Sequence, residues 1–314
     1  MLVTVAIPCY KSAMTLPYVV ADIQEQFLHH KEYEYQLILV NDGSPDQGAT
    51  FQVIEKLCEE DPRIVGVELS KNYGQAAAKM AALPYTDGEI LIYMDDDGQH
   101  DAQGIFPLIQ AVENGADMAI AEFHGKKHTL FKRFTSWLNT EMLCLTLKKP
   151  KNIHTSSFAA YSKFLIERLK EYHAPFVSMF GYVLQHTRKI VNVPLEHHER
   201  LEGQSGYTLK KLFKLWSDGI FSFSTVPLQL IKLFGGASCI LALIMWICAI
   251  VMAVLGKTTL VWVILGFTAF MGAFLFFALA ILGEYIGRMF LIQCEQPQYA
   301  VRKVINHEEK GAKL

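Results

Sequence analysis

From Leu233 to Gly256 the chain carries no charged residue, and from Thr258 to Gly283 it again carries none. Each run is longer than the roughly 20 apolar residues needed to cross a ~30 Å hydrocarbon core. The pattern predicts two membrane helices, over 231–256 and 259–284, joined by a short turn near "GKTT". A buried core hairpin is the competing reading, and the length of both runs argues against it. Lys and Arg gather before the first run and after the second, at Arg288, Arg302 and Lys303, with only Lys257 between. That asymmetry places both flanks, and so both termini, on the cytoplasmic side of an inner (plasma) membrane, with 285–314 as a cytosolic tail.

The rest of the chain reads as a soluble protein. Asp plus Glu number 31 against 29 Lys plus Arg, so no broad basic surface suits a nucleic-acid partner. Cys9, Cys58, Cys144, Cys239, Cys248 and Cys294 are scattered without CxxC spacing, which predicts free thiols and neither a zinc site nor a disulfide framework. The opening "MLVTVAIPCYKS" has no basic stretch followed by a long apolar one, so it reads as a first strand and not as a signal peptide.

Within residues 1–205 short β-rich runs alternate with helical patterns: "LVTVAIP", then "LPYVVADIQEQF", then "YQLILVND", "ATFQVIEKLCEE", "IVGVEL", a helix from about Gln75, and "EILIYMD". Such alternation predicts an α/β domain, a mostly parallel sheet with helices on both faces, and ligands bound at the carboxyl ends of the strands. The polar clusters "PCYKS", "NDGSPD", "SKNYGQ" and "DDDGQH" all stand there. Residues 206–230 form a juxtamembrane segment. Within it "TLKKLFKLWSDGIFSF" sets Lys210, Lys211 and Lys214 opposite Leu, Phe and Trp, as an interfacial helix would. A similar amphipathic pattern covers 129–147.

The densest chemistry lies in "IYMDDDGQHD", residues 92–101. Carboxylates packed at a strand end repel one another unless a cation neutralises them. Hard oxygen ligands suit Mg²⁺ or Mn²⁺, which complete their shell with waters and substrate phosphates. Strand alternation puts Asp95 and Asp97 on one side, Asp96 on the other, and Gln99 in line as a neutral oxygen ligand. A solvated acidic turn is the plain alternative. Asp42 ends a neighbouring strand, where its carboxylate would accept from a base or ribose, and Gly43 and Ser44 would let backbone approach a ligand; an Asx-turn is the plain alternative for Asp42. His100 reads better as a locally bonded turn histidine than as a catalytic one.

"VAIPCY", "LVNDGSPD", "KNYGQAAAKMAAL", "MDDDGQH" and "ERLEGQSGYTLKKL", in this order and followed by an apolar hairpin, resemble family 2 glycosyltransferases of the polyisoprenyl-phosphate type. That group includes dolichol-phosphate mannose synthases and the bacterial undecaprenyl-phosphate glucosyl- and aminoarabinosyl-transferases. The resemblance implies a GT-A fold, a nucleotide-diphosphate sugar donor, a divalent metal and a polyisoprenyl-phosphate acceptor. It implies Pro8, Tyr10 and Asp42 around the nucleotide, with Asp95, Asp97 and Gln99 around metal and diphosphate. Arg200 would close over the phosphates, with Ser205 and Tyr207 in the same loop, so that Asp95, Asp97 and Arg200 form the catalytic set. Lys132, Arg133, Ser136 and Ser157 would meet the acceptor phosphate. Relatives assemble through the hairpin, which implies a homotetramer or homodimer.

Two departures stand out. "PCYKSA" carries Lys11 where relatives often carry Asn in "PxYNE", and "HTSSFAAY" keeps Ser157 and Phe158 of an acceptor motif but lacks its arginine. The expected reaction is transfer of a sugar, with inversion, from a donor favoured to be a UDP-sugar to an already ionised lipid phosphate, so no general base is nominated. A hydroxyl-acceptor synthase would need such a base and usually a "QxxRW" motif, which this sequence lacks. A catalytically silent membrane scaffold has no reason to keep paired carboxylates at strand ends.

Overall fold

The computed structural model describes residues 1–123, 144, 147, 149–176, 178–195, 225–256 and 260–307. The strand β1 (Leu2–Cys9) explains the layering. Val3, Val5, Ile7 and Cys9 enter one apolar cluster, while the alternate residue Ala6 enters another on the opposite face. A strand with period-2 side chains buried on both faces reads as a continuous apolar run, which is what the sequence shows. β2 (Glu34–Asn41) divides likewise, with Leu37 and Leu39 to one side and Ile38 and Val40 to the other.

The helices α1 (Leu16–His29), α2 (Ala49–Glu60) and α4 (Ile105–Glu113) supply the first cluster through residues such as Ile23, Ile54 and Leu108. α3 (Gln75–Ala82), α5 (Lys163–Lys170) and α6 (Met179–His186) supply the second through Met80, Leu165 and Val183. Pro17 sits in the first turn of α1, where its missing N–H costs no helical hydrogen bond.

The remaining strands are β3 (Ile64–Leu69), β4 (Ile90–Tyr93), β5 (Met118–Phe123), β6 (Ala159–Ser162), β7 (Ile190–Leu195) and β8 (Val301–Ile305). They form one eight-stranded sheet in the order β7-β5-β6-β4-β1-β2-β3-β8. β1 pairs in parallel with β2 and β4, β2 with β3, and β5 with β7. β6 runs antiparallel between β4 and β5, and β8 antiparallel along β3. The sheet is therefore mixed but mostly parallel.

β8 is a departure from the sequence reading, which left 285–314 as a tail. Lys303 pairs with Glu55 at 2.6 Å, and the Asn306 side chain donates to the carbonyls of Cys58 and Ile64. Five residues with exposed charges carry little local signal for a strand; pairing with β3 makes it one.

Two long helices, α7 (Val226–Val254) and α8 (Leu260–Gln293), are long and apolar enough to cross a membrane. They pack along one another, and their large apolar side chains face outward: Trp246 is 72% exposed and Phe276 75%. Exposed apolar surface of this extent marks membrane association. α8 runs past Glu284, where the sequence reading ended the second span, because Arg288 pairs with Glu284 one turn earlier at 2.8 Å. Arg288 also lies over the Phe176 ring at 4.3 Å, and the Gln298 amide donates to the Tyr172 and Ala174 carbonyls at 2.8 Å each. Past α8 the chain is thereby tied to the loop between α5 and α6.

Candidate active site

β1 lies between β2 and β4, so the crossovers from β1 to β2 and from β3 to β4 leave in opposite directions. In an open α/β sheet the carboxyl ends at such a switch point part to form a crevice. Pro8 stands on β1 beyond the last residue paired with β4, where its missing N–H breaks no rung of that ladder.

Asp96, to which the sequence reading gave no role, closes the β1 side of the crevice. Its carboxylate accepts from the Tyr10 N–H at 2.9 Å. Burial pushes this carboxyl up to about 6; the Tyr10 amide opposes the rise and the charge of Asp95 adds to it. The Tyr10 ring stands exposed at the rim with the Lys11 ammonium 5.7 Å from its centre.

Asp95 faces the other way. One carboxylate oxygen accepts from the Gln75 side chain at 2.7 Å and the other from the Ser157 hydroxyl at 2.5 Å. Ser157, expected on the acceptor side, is thus joined directly to an expected metal ligand. Its carbonyl accepts from the Lys79 ammonium at 3.0 Å. Burial lowers the pKa of Lys79, and the charge of Asp95 works against that.

β4 ends at Tyr93, so strand alternation no longer governs the aspartates; the turn after the strand does. Asp97 accepts from the Gln99 backbone N–H at 3.1 Å, and Gln99 follows Gly98 in that turn. Among the described residues no group of three or more His, Cys, Asp or Glu side chains is gathered as a ready-made metal site. The donor set nevertheless suits a divalent cation: Asp95 and Asp97 are both partly exposed carboxylates at the mouth of the crevice. Such ions keep waters and take substrate phosphate oxygens, so two protein ligands suffice.

His100 is a scaffold residue, as its plainer reading held. Its Nδ1 accepts from the Asp95 backbone N–H at 3.1 Å, and its buried ring stacks on Phe158 and Phe123 with centroids 4.8 and 5.6 Å away. Asp101 accepts from the Gln103 N–H at 2.8 Å and caps the turn leading into α4.

Asp42 does not stand open to a ligand as the sequence suggested. It is 4% exposed, and its two oxygens accept from the N–H groups of Tyr73 and Gly74 at 2.7 and 2.9 Å. Burial raises this carboxyl while the two amides oppose the rise. These two bonds hold the 71–74 loop against β2. The local side-chain bonding considered for Asp42 belongs instead to Asn41, whose side-chain oxygen accepts from the Ser44 N–H and hydroxyl at 3.2 and 2.7 Å. The Ser44 hydroxyl in turn accepts from the Lys11 N–H at 3.0 Å. Gly43 lets backbone approach backbone, since a Cβ there would stand 2.2 Å from the Lys71 carbonyl carbon.

Sequence reading missed Gln75 and Lys79. They are the only polar residues of "QAAAKMAA" and lie four apart, so a single helix face presents both, which is the signal that marks them. Arg200, Ser205, Tyr207, Lys132, Arg133 and Ser136 lie outside the described residues, as do Lys210, Lys211, Lys214 and Lys257.

Known proteins resemble this chain in sequence and in fold. An undecaprenyl-phosphate 4-deoxy-4-formamido-L-arabinose transferase of Proteus mirabilis (strain HI4320) is 28% identical over 312 residues, covering 96% of this chain and 94% of that protein. The transferase of the same name from Klebsiella pneumoniae (strain 342) is 27% identical over 288 residues, covering 89% of this chain and 86% of its own. The solved structure of glucosyl-3-phosphoglycerate synthase from Mycobacterium tuberculosis, in complex with phosphoglyceric acid, superimposes with a TM-score of 0.52 at 18% identity over 70% of this chain and 78% of that one. That likeness is one of fold, a GT-A-like mixed α/β sheet. The family model described as "Glycosyl transferase family 2" matches residues 4–170, from β1 through α5, and the chain belongs to that family.

Proposed function

We propose that this protein is a membrane-bound inverting glycosyltransferase that moves a sugar from a nucleotide-diphosphate donor, a UDP-sugar in the favoured reading, to a polyisoprenyl phosphate of the undecaprenyl type. The observation that carries the reading is the union, in one chain, of a carboxylate-edged crevice at a sheet switch point with two long, outward-facing apolar helices. A water-soluble acceptor gives such helices no purpose; a lipid phosphate stays in the bilayer and must be met at its surface. The names of the relatives agree with this chemistry.

In the proposed reaction a phosphate oxygen of the acceptor forms a bond to the anomeric carbon. The bond from that carbon to the β-phosphate oxygen breaks from the opposite side, and the nucleoside diphosphate leaves. A phosphate monoester is largely ionised at neutral pH, its second pKa being about 6, so no base must remove a proton.

Asp96 pins the β1 loop so that Tyr10 and Pro8 edge the nucleotide side. Gln75 and Ser157 hold the Asp95 carboxylate in one orientation. Asp95 and Asp97, with Gln99 beside them, would hold Mg²⁺ or Mn²⁺, whose chemistry is to neutralise the charge that develops on the departing diphosphate. Arg200, with Ser205 and Tyr207, belongs to the same proposal as a second source of that neutralisation, and Lys132, Arg133 and Ser136 as acceptor contacts. So do the cytoplasmic placement of the catalytic domain, the multi-pass topology in the inner (plasma) membrane and a homo-oligomer formed through the hairpin.

The test is incubation of membranes with a panel of nucleotide sugars and undecaprenyl phosphate, reading the lipid product by mass spectrometry. One sugar attached to the phosphate is the expected product; none with any donor sinks the proposal. Asp97→Ala lowers turnover about 10²- to 10³-fold, as loss of one charge-stabilising contact does. Wild-type turnover in that variant at saturating Mg²⁺ removes the metal role of Asp97.

A further inference from the structure

The crevice has two flanks. β4 lies between β1 and β6, and its terminal aspartates point both ways: Asp96 to Tyr10 on the β1 flank, Asp95 to Ser157 on the β6 flank. On the β6 flank α3 presents the Lys79 ammonium, partly buried, 3.0 Å from the Ser157 carbonyl and 5.3 Å from the centre of the Tyr93 ring.

An ammonium carries three N–H donors. Among the described residues Lys79 commits one, to a neutral carbonyl, and no carboxylate lies within the 4.0 Å of an ion pair. The carboxylate whose charge acts on it, Asp95, already accepts from Gln75 and Ser157. A lysine withdrawn from water with two donors to spare is costly unless an anion completes it.

We propose that Lys79 is an acceptor-binding residue whose ammonium takes the phosphate of the polyisoprenyl phosphate on the β6 flank of the crevice. The inference rests on the reading of the acceptor as a lipid phosphate and names the chain's own cation for it. The geometry also suits the course of the reaction. The attacking phosphate is a monoester that reaches the dianionic state, and the product is a diester with a single charge. One ammonium therefore holds substrate more firmly than product. The motif "HTSSFAAY" keeps Ser157 but lacks its arginine. Lys79 of α3 brings a cation to Ser157, the residue of that motif which remains.

The experiment uses the full chain in detergent with Lys79→Met and Lys79→Arg. Steady-state kinetics separate the KM for undecaprenyl phosphate from that for the donor, and calorimetry follows farnesyl phosphate and inorganic phosphate. Lys79→Met raises the acceptor KM about tenfold to hundredfold, the range for one hydrogen bond to a charged group, with donor KM unchanged. Lys79→Arg recovers part of the loss, and farnesyl phosphate binding disappears in the Met variant alone. A donor-induced rise in melting temperature equal to wild type shows that each variant is folded. A fall in kcat with unchanged acceptor KM in Lys79→Met overturns the proposal and leaves Lys79 as a support for Ser157. Inorganic phosphate binding as tightly as farnesyl phosphate, with the same dependence on Lys79, overturns the lipid assignment. If wild type makes no lipid-linked sugar yet binds farnesyl phosphate through Lys79, the inference stands and the proposed reaction falls.

Discussion

Gly43→Ala tests how the carboxyl ends of the sheet are held together. Gly43 leaves β2 in the left-handed region at φ +55°, and a Cβ there would lie 2.2 Å from the carbonyl carbon of Lys71 and 2.4 Å from the nitrogen of Asn72. Carbon atoms pack at about 3.5–4.0 Å, so the two backbone segments must part by roughly 1 Å or more. They cannot part freely, because the neighbouring Asp42 carboxylate holds the Tyr73 and Gly74 amides at 2.7 and 2.9 Å. Left-handed backbone costs an alanine about 1–2 kcal/mol. Each hydrogen bond to an ionised acceptor adds about 1.5–3 kcal/mol when lost. With one bond lost the cost is about 3 kcal/mol, and with both about 6 kcal/mol. At about 2–4 °C per kcal/mol for a domain of this size, the melting temperature drops by roughly 6–24 °C.

The damage travels further. α3 starts at Gln75, next to the displaced amides, and Gln75 orients Asp95, so donor binding weakens with stability. The assay is thermal unfolding of the full chain followed by circular dichroism, with hydrogen exchange at Tyr73 and Gly74. Gly74→Ala is the comparison: Gly74 has φ +94° but nothing within 4 Å of a built Cβ, so its cost is backbone strain alone, about 1–3 kcal/mol. Gly43→Ala melting within about 2 °C of wild type, or above Gly74→Ala, refutes the account of steric closure.

At the opposite end of the sheet, burial acts to raise the Asp61 carboxyl, but Arg63 and the Tyr35 hydroxyl outweigh it and hold the group well below the usual carboxylate range. A depressed folded pKa contributes stability that is complete above the unfolded value of about 3.9 and is lost as pH falls below it. Melting temperature therefore falls more steeply below about pH 4 in wild type than in Asp61→Asn; parallel curves contradict this. At neutral pH the variant costs about 2–4 kcal/mol, since Tyr35, Gln24 and Arg63 lose an ionised acceptor. Lys11→Asn is expected to stabilise by about 0.5–1 kcal/mol, because Lys11 sits at φ +58°, a region asparagine enters more readily, and its backbone bond to Ser44 survives the change. A lower melting temperature in that variant means the lysine side chain, over the Tyr10 ring, outweighs the backbone strain.

Sequence by itself determined what repeats locally. The apolar runs of β1 and β2 and the amphipathic helices between strands carry their own periodicity, and the two long uncharged stretches are marked by their length, so the mostly parallel sheet and two helices long enough to cross a membrane were legible. The polar clusters were legible too, because strand ends are where the apolar run stops. Tertiary structure decided everything that depends on which end faces which. β8 is five residues with no inward stripe of its own, and β6 just four; both are strands because β3, β4 and β5 present open edges to them. Asp42, Asp95 and Asp96 look alike in a one-dimensional chain. Pairing of β1 with β4 sets Asp96 against the Tyr10 amide, insertion of β6 sets Asp95 against Ser157, and the approach of the 71–74 loop to β2 takes up Asp42. The partners come from 31 to 86 positions away, a separation that no local pattern encodes. Residue type said that carboxylates gather at the strand ends; only the order of the strands said which of them clamps the fold and which faces the crevice.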